Sequence, residues 1–587
     1  MNFKYITLLL PAIALTGCLE QYDPAQTYVS KDQVQNAPNS AEAIVAAVTS
    51  DAVGHCCYAS YTYNYAWDFG LPAQFIARDV EGQDMTGINS GYNWFSSWEY
   101  CDVSLSPGYA LCQVPWTVYY SWIKNCNSVL TVTTDDPDEG NAAYAGIAHA
   151  MRAYYYMDLA QMFAPQTYLV NPDALTVPII TQNTTKEQAA NNPRATNREM
   201  WDGFIMKDLD RAERELKGYT RSDKTVPDLS VVYGLKARAY LIMGNWAEAE
   251  KYAKMAQTGY TPMTVEQFNN RTTGFNTPNQ AWMLCMQYRD DDRNITWNDG
   301  DASWGTWMIT ELTEACGMGY ASNYGYPFHI DRHLFETIPA TDGRKDAWID
   351  FKVWEDLEAA YAENEYAEGD TDAVKAAKDE AVAAAEEAAL EYVREHNSDY
   401  PENMVFKPVD GYDWGFAGIS VKFRPAGGNA GYNNQNIGYV VAVPMMRVEE
   451  MMLIEAEAAG MQSEGRGRQL LEAFGKLRDP NYVYGQHQET YNSDFATAFQ
   501  NEVWWQRRVE LWGEGFSTFD IKRLNKGIIR SCPNTNHMPL GRWNTNTPPS
   551  WMTWCIIGTE ANYNSALAGK NNPIPVRPTV DSPEHIF

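Results

Sequence analysis

The sequence has little positive charge. Lys and Arg total 45 against 75 Asp and Glu, which gives a formal net charge of -30 at pH 7. Because binding to phosphates depends on clustered Lys and Arg, this balance excludes a general nucleic-acid binder and disfavours strongly anionic ligands. An acidic, well-solvated surface is the simplest interpretation of the excess of carboxylates.

Familiar catalytic motifs are also missing. The sequence has no G-x-S-x-G elbow, no H-E-x-x-H helix and no Walker loop. His329-x-Asp331-x-His333 is an incomplete metal set, so local hydrogen bonding is its expected use. The oxygen-rich runs at 290–292 and 298–301 lack EF-hand spacing, and we favour a solvated turn over a loop Ca²⁺. We therefore expect a protein that is not an enzyme and needs no cofactor.

Long apolar runs are absent, and the most apolar stretch is short. Residues 6–15 have the length of a signal-peptide core and are too few to cross a bilayer, which takes about 20 residues. The stretch ends in Leu15-Thr16-Gly17-Cys18, which resembles the lipobox of bacterial lipoproteins. We expect a signal peptide over 1–17 and a lipid on Cys18 that anchors the chain to the outer membrane, facing the cell exterior. The alternative is a cleaved soluble protein with a chance cysteine.

Nine cysteines follow Cys18, an odd number that forbids complete pairing within one chain. Cys101 with Cys112, and Cys532 with Cys555, are plausible disulfides for an exported protein. Sequence alone leaves the connectivity open.

Helical periodicity dominates the pattern of apolar residues. Residues 140–163, 196–216, 443–461 and 493–511 repeat apolar positions every three or four residues. Residues 230–262 predict two helices broken at Gly244-Asn245, with a spacing that resembles a tetratricopeptide repeat. The predicted fold class is mainly α, with tetratricopeptide-like helical repeats and a long irregular, loop-rich ligand-binding region.

The predicted organisation separates scaffold, loops and an insertion. The repeat scaffold is expected at about 39–53, 114–260 and 440–530, and the loop-rich face at about 54–113 and 261–345. Residues 355–396 are rich in Ala and Glu, which predicts an exposed helical insertion.

Aromatic residues are unusually abundant, at 13% of the chain, and they concentrate in the two loop-rich segments. A sugar ring has apolar faces and polar edges, so flat side chains beside amides, carboxylates or Arg suit it. The alternative for any single ring is burial in the core. The predicted ligand-binding residues are Arg78, Asp79, Tyr92, Asn93, Trp94, Trp98, Asp301, Trp304, Trp307 and Tyr324.

Several segments together resemble a known family. They are AHAMRAYYYMDLAQMFAP at 148–165, TDGRKDAW at 341–348, VPMMRVEEMMLIEAEAAG at 443–460, RRVELWGEGFSTFDIKRLNKG at 507–527 and NPIP at 572–575. With the N-terminal lipobox, their order resembles the SusD/RagB family of outer-membrane nutrient-binding lipoproteins. The chain departs from the family pattern at Ala164, where Gly is usual, at Ser517 and Thr518, and in the insertion at 355–396.

The resemblance implies a single SusD-like domain over 18–587, with a ligand face built from loops outside the repeats. It implies a cell-surface lipoprotein that binds oligo- or polysaccharide and delivers it to a SusC-like TonB-dependent outer-membrane transporter. Peptide capture for a RagA-like transporter is the alternative, and a secreted hydrolase is a third, less favoured one.

The charged residues of the family-like motifs are expected to hold helices together and not to touch ligand, because buried charges must be paired. They are Arg447, Glu455, Glu510, Glu514, Asp520 and Arg523.

Overall fold

The computed structural model describes residues 40–53, 65–87, 92–133, 136–297, 300–312, 319–322, 324, 327–404, 415–488 and 495–587. Cys18 and the expected signal peptide at 1–17 lie outside the described residues. Within the described part of the chain, none of the helices combines the length and the apolar character needed to span a membrane.

Helices make up most of the regular structure. The first half of the chain contains α1 (Ser40–Ser50), α2 (Leu71–Val80), α3 (Ser96–Glu99), α4 (Ala110–Thr133), α5 (Ala142–Phe163), α6 (Lys186–Ala189), α7 (Asn197–Met200), α8 (Met206–Glu215), α9 (Leu229–Met243), α10 (Trp246–Ala256), α11 (Val265–Phe268) and α12 (Arg293–Thr296). The second half contains α13 (Trp304–Met308), α14 (Arg332–Thr337), α15 (Phe351–Glu363), α16 (Asp372–His396), α17 (Asn429–Tyr432), α18 (Gln435–Gly438), α19 (Val448–Gln462), α20 (Glu464–Gly475), α21 (Ala498–Glu510) and α22 (Ser517–Arg523).

The long helices pack as successive pairs. Contacts join α4 to α5, α5 to α8, α9 to α10, α10 to α19 and α19 to α20. Helix α5 is buried on every side from Ala145 to Phe163, so stacking covers surface that a single pair of helices would leave in water. The result is the mainly α, tetratricopeptide-like scaffold that the periodicity predicts.

The break between α9 and α10 falls at the predicted position. Gly244 ends α9 in the left-handed conformation, with φ of +70°, and a Cβ there would lie 2.6 Å from the side chain of Leu169. The Asn245 side chain accepts a hydrogen bond from the Glu248 amide and caps α10. The two-residue turn therefore needs both residue types.

Two short antiparallel sheets join segments that are distant in sequence. Strand β1 (Met85–Thr86) pairs with β3 (His329–Ile330), and β2 (Trp282–Gln287) pairs with β4 (Ala442–Arg447) across an irregular register. The β1–β3 pair joins the two predicted loop-rich segments, because β1 lies within residues 54–113 and β3 within residues 261–345.

The insertion forms an exposed helical hairpin, as its composition predicts. Helices α15 and α16 pack on each other, and the Tyr361 hydroxyl donates to Glu386 at 3.0 Å. Ala389 and Val393 are buried near the base of α16, while most of its other side chains face solvent.

The described cysteines do not form the pairs that the sequence suggests. Cys101, Cys112, Cys532 and Cys555 are buried free thiols, as are Cys126 and Cys285. The Cys112 thiol instead donates to the carbonyl oxygen of Cys555 at 2.8 Å. Bracketing a turn in sequence is therefore a poor guide to which thiols become neighbours in this fold.

A buried ion cluster centred on Glu510 connects the scaffold. Its Oε1 accepts from Arg447 at 3.1 Å, and its Oε2 accepts from Arg478 at 2.8 Å and Arg344 at 3.3 Å. All four side chains are fully buried. Burial alone would raise the pKa of Glu510, but the three guanidinium groups outweigh it and hold that pKa well below its usual value.

The other motif charges also pair within the protein. Arg447 donates to Glu514 at 2.9 Å, and Arg523 donates to Asp520 at 2.7 Å. Glu455, which is half-buried, accepts from Gln257 at 2.6 Å. The contacts of these residues confirm the expectation that they pair within the protein.

The first prediction concerns this ion cluster. Glu510→Gln keeps the shape of the side chain but removes the carboxylate that three guanidinium groups share, which leaves them with only Asp342, Glu449 and Glu514 as anionic partners. Removing one partner of a buried ion pair costs about 3–5 kcal/mol, so we expect a clearly lower thermal midpoint at neutral pH, measured by circular dichroism.

The pH dependence of that loss is diagnostic. Because the folded pKa of Glu510 is lowered, its stabilising effect is present above the unfolded value near 4.5 and is lost as the pH falls toward the folded value. The gap in midpoint between wild type and Glu510→Gln should shrink between about pH 5 and about pH 2. Glu387→Gln, at an exposed ion pair, is the control with almost no gap. A gap for Glu510→Gln that does not change with pH would contradict this account.

Candidate functional site

The structure brings the two predicted aromatic segments into contact. The ring of Tyr92 lies 5.2 Å from that of Tyr324 in a stacked arrangement and 6.3 Å from that of Tyr320. Below them, the ring of Phe95 meets Trp307 edge-on at 5.1 Å. The β1–β3 pairing explains this meeting, because one strand precedes the first segment and the other follows the second.

The aromatic contacts form an outer and an inner layer. Tyr92 and Tyr324 form the outer layer, with 49% and 37% of their surface exposed. Tyr320 lies between the layers and stacks on Trp307, with ring centres 4.3 Å apart and planes within 7°. Trp307 is 1% exposed, and its indole N–H donates to the Ala66 carbonyl at 3.2 Å. The buried ring thereby fixes the orientation of the exposed ones.

Beside this layer lies an open cleft of about 590 Å³, which we call the aromatic cleft. It is lined by Tyr65, Trp67, Asn93, Trp94, Ser96, Ser97, Ser104, Tyr109, Ala110 and Leu111. Tyr65 and Tyr109 are 42% and 47% exposed. Large exposed aromatic rings around one concavity are typical of a binding surface.

Aromatic contacts also hold the walls of the aromatic cleft. Tyr65 stacks on Trp67 at 5.6 Å and meets Trp94 edge-on at 5.7 Å. Trp67 in turn packs edge-on against Trp98 at 5.6 Å. Because the exposed Tyr65 rests on the buried Trp67, this part of the cleft wall is pre-shaped, and little side-chain entropy remains to be lost there on binding.

Uncharged polar groups form the rest of the wall. The Ser104 hydroxyl donates to that of Ser97 at 3.1 Å, and the Asp102 side chain accepts from the Ser104 amide at 3.0 Å. The Asn93 side-chain oxygen accepts from the Phe95 amide at 3.1 Å. The cleft thus offers flat apolar faces with hydroxyl and amide groups at their edges.

Four of the predicted ligand residues lie at this surface. Tyr92 and Tyr324 are exposed, Trp94 is half-buried in the cleft wall, and Asn93 lines the cleft although most of its surface is covered. Their roles in binding remain predictions.

The other aromatic candidates lie deeper. Trp98, Trp304 and Trp307 are almost fully buried, and Trp304 packs edge-on against Phe423 at 5.1 Å. Asp301 is buried and accepts a hydrogen bond from the Tyr320 hydroxyl at 3.2 Å. These side chains support the site from behind, which corrects the expectation that they touch ligand.

Arg78 and Asp79 are also placed in the core. Both lie in α2, whose residues are all buried. Arg78 donates to Asp158 at 2.9 Å, and Asp79 accepts from the Gly515 amide at 2.9 Å. Burial raises the pKa of Asp79 to about 7 despite that hydrogen bond. Their polarity serves helix packing, so the expectation of a polar edge for ligand is corrected here as well.

Sequence reasoning predicted only Asn93 and Trp94 among the residues that line the cleft, and it missed the two most exposed rings, Tyr65 and Tyr109. Tyr65 closes the tyrosine-rich run YTYNY at 61–65, and Tyr109 follows the turn residues Ser106-Pro107-Gly108. Both tyrosines could have been predicted as exposed from their position next to turn residues in a loop-rich segment, because such loops run over the protein surface.

A second cavity, of about 360 Å³, lies elsewhere in the protein. It is lined by Thr49, Ser50, Ala52, Met151, Asp223, Lys224, Thr225, Pro278, Cys285, Met286, Gln287, Arg289, Asp292 and Met445. None of the described residues in its lining is aromatic, so these residues offer no stacking surface of the kind found in the aromatic cleft.

The His-x-Asp-x-His pattern is used locally. The His329 ring bonds the Ala417 carbonyl at 2.7 Å, and burial lowers its pKa to about 4. Asp331 caps α14 by accepting from the Leu334 amide at 2.8 Å. Among the described residues, no group of three or more His, Cys, Asp or Glu is placed to hold a metal ion.

Known proteins resemble this chain in sequence and in fold. Residues 72–241 match a SusD-like family model described as starch-binding and associating with the outer membrane. No curated protein matches the chain by sequence.

Solved structures match over nearly the whole length. A SusD-like carbohydrate binding protein from Bacteroides vulgatus has 20% identity and a TM-score of 0.64, covering 90% of this chain and 96% of its own. A SusD superfamily protein from Bacteroides thetaiotaomicron has 16% identity and a TM-score of 0.61, covering 93% and 100%. Surface glycan-binding protein A from the same species, in complex with laminarihexaose, has 17% identity and a TM-score of 0.59, covering 92% and 98%. The resemblance to the SusD/RagB family is confirmed, and the fold is SusD-like.

The second prediction separates the supporting rings from the exposed ones. Trp304→Ala should cost about 3–5 kcal/mol of unfolding free energy, because it empties a closely packed site. Tyr65→Ala should cost about 1 kcal/mol or less, because the ring is partly in water. Denaturant midpoints measure both. A Trp304→Ala variant as stable as wild type would return that ring to the candidates for ligand contact.

Proposed function

We propose that this SusD-like chain is a cell-surface lipoprotein that binds oligo- or polysaccharide in the aromatic cleft and delivers it to a TonB-dependent outer-membrane transporter. The observation that carries the proposal is the cleft itself, with Tyr65, Trp94 and Tyr109 around one open concavity. The lipid anchor at Cys18 and the transporter partner rest on the family resemblance.

The chemistry of the cleft suits a sugar chain. The C–H faces of a pyranose ring are flat and apolar, so they stack on Tyr and Trp rings, while hydroxyl and amide groups can bond the sugar's edge hydroxyls. A shallow platform of this kind gives moderate affinity. We expect Kd values around micromolar, which correspond to about -8 kcal/mol.

The exposed rings are sufficient for more than one sugar unit. Tyr92 and Trp94 are two residues apart in one turn, and the amide of Trp94 donates to the Tyr92 carbonyl at 3.1 Å. The Tyr92–Tyr324 pair therefore extends the aromatic surface beyond the cleft. We expect an extended ligand, with affinity that rises from monosaccharide to oligosaccharide.

The solved relatives support a saccharide over a peptide. One of them is a complex with laminarihexaose, and another is described as a laminarin binding SusD-like protein. Flat, exposed ring faces also suit a sugar better than they suit a peptide, whose backbone would need rows of hydrogen-bonding partners.

The third prediction tests the cleft by substitution. In the Tyr65→Ala/Trp94→Ala double variant, affinity for a bound oligosaccharide should fall about tenfold or more, because each ring contact is worth about 0.5–1.5 kcal/mol. Isothermal titration against a panel of glycans and peptides measures it, with circular dichroism to check folding.

Two controls make the result specific. Tyr65→Phe keeps the ring and should bind nearly as wild type does. Tyr366→Ala removes an exposed tyrosine from the insertion and should leave the Kd unchanged. Wild-type affinity in the folded double variant would contradict the site, and binding of peptides instead of glycans would contradict the ligand class. Release of shortened products from any ligand would contradict a purely binding role.

A further inference from the structure

We propose that the ligand of the aromatic cleft is an uncharged glycan, without uronate or sulfate groups. This inference rests on the proposed function and makes its ligand class more specific. It starts from the cleft lining, in which every described residue is aromatic, aliphatic, serine or asparagine. In a chain with 120 charged residues, 45 basic and 75 acidic, a large open cleft whose described lining residues are all uncharged is informative.

The polar groups of the cleft are suited to hydroxyls. Ser96, Ser97 and Ser104 contribute hydroxyl groups, and Asn93 contributes an amide. Neutral protein donors and acceptors can replace their hydrogen bonds to water with hydrogen bonds to sugar hydroxyls, because water solvates the protein groups and the sugar hydroxyls to a similar degree. An anionic group stacked in the same place would lose hydration without gaining a cation.

Two carboxylates lie next to the site, while the guanidinium group of Arg530, which is fully buried, donates to the Glu99 carbonyl at 2.7 Å. Asp102 caps the turn that carries Ser104, and Asp301 accepts from the hydroxyl of Tyr320, which supports the outer tyrosines. Together with the net charge of -30, these carboxylates create a potential that repels anions. An anionic glycan would therefore be disfavoured both on approach and in contact.

Two basic residues of the second loop-rich segment, Arg289 and Arg293, have other partners. Arg289 lies 3.6 Å from Asp291 and 3.4 Å from Asp292, and the guanidinium group of Arg293 lies over the ring of Trp297 at 4.3 Å. Neither arginine lines the aromatic cleft. This arrangement differs from a site for acidic sugars, where arginine or lysine side chains would converge on the ligand.

The test compares three ligand classes at several salt concentrations. The whole mature chain is screened on an array of neutral, uronate-containing and sulfated oligosaccharides, and each hit is measured by isothermal titration at low, physiological and high NaCl. We expect binding in the neutral class alone, with a Kd that changes less than about twofold, because no ion pair is screened.

The outcomes separate this inference from the proposed function. Tight binding of a uronate or sulfated oligosaccharide, weakened more than about tenfold by salt, would overturn the neutral-ligand inference and leave the glycan-binding function standing. Binding of peptides, with no oligosaccharide of any class bound, would overturn the proposed function itself.

The fourth prediction tests the neutral-ligand inference with a variant that removes a charge beside the cleft. Asp102→Asn removes the carboxylate but retains a side-chain oxygen that can cap the turn. For a neutral ligand the Kd should stay within about twofold of wild type, since no charge on the ligand responds to the change. A shift of more than about fivefold in the Kd of a neutral oligosaccharide, in a variant with unchanged thermal midpoint, would overturn the inference that binding uses uncharged contacts alone.

Discussion

The structure depends on one buried electrostatic cluster, in which the carboxylate of Glu510 receives three guanidinium groups from distant parts of the chain. A fully buried cluster of this kind is stable only when every charge is paired, so it fixes the segments that contribute to it. The end of α21 and the turn after it also contact the first aromatic segment. Arg508 donates to Asp84 at 2.8 Å, and the Trp512 indole donates to the Asp84 carbonyl at 2.8 Å. Asp84 leads directly into β1, so the scaffold positions the start of the first aromatic segment.

Beyond β1, contacts between aromatic rings fix the positions of the exposed side chains. Trp307 and Trp98 are sealed in the core, Tyr320 and Trp67 stack or pack on them, and the exposed tyrosines form the surface. An aromatic platform in water would otherwise lose entropy each time it bound ligand. Here the rings already lose that side-chain entropy when the protein folds. This accounts for the many aromatic residues in segments with little regular secondary structure.

The sequence predicted the scaffold more accurately than the site. Helical periodicity placed the α9–α10 hairpin and its break at Gly244, because amphipathic spacing and a left-handed glycine are local properties. The two aromatic segments that the sequence singled out lie in contact, and their role in binding remains a prediction. Which rings face water was not predictable, because it depends on the β1–β3 pairing and on partners far away in sequence. Trp304 and Tyr324 look equivalent in sequence, and only packing against Phe423 distinguishes the buried ring from the exposed one.

The central claim is that ligand binds across the aromatic cleft, on a surface shaped before binding. Hydrogen–deuterium exchange, with and without a saturating neutral oligosaccharide identified on the array, tests it most directly. The account predicts slower exchange in peptides covering 92–111 and 319–322, with little change in the helical repeats. Protection confined to the cavity lined by residues 223–225 and 285–292, with the aromatic segments unchanged, would contradict it.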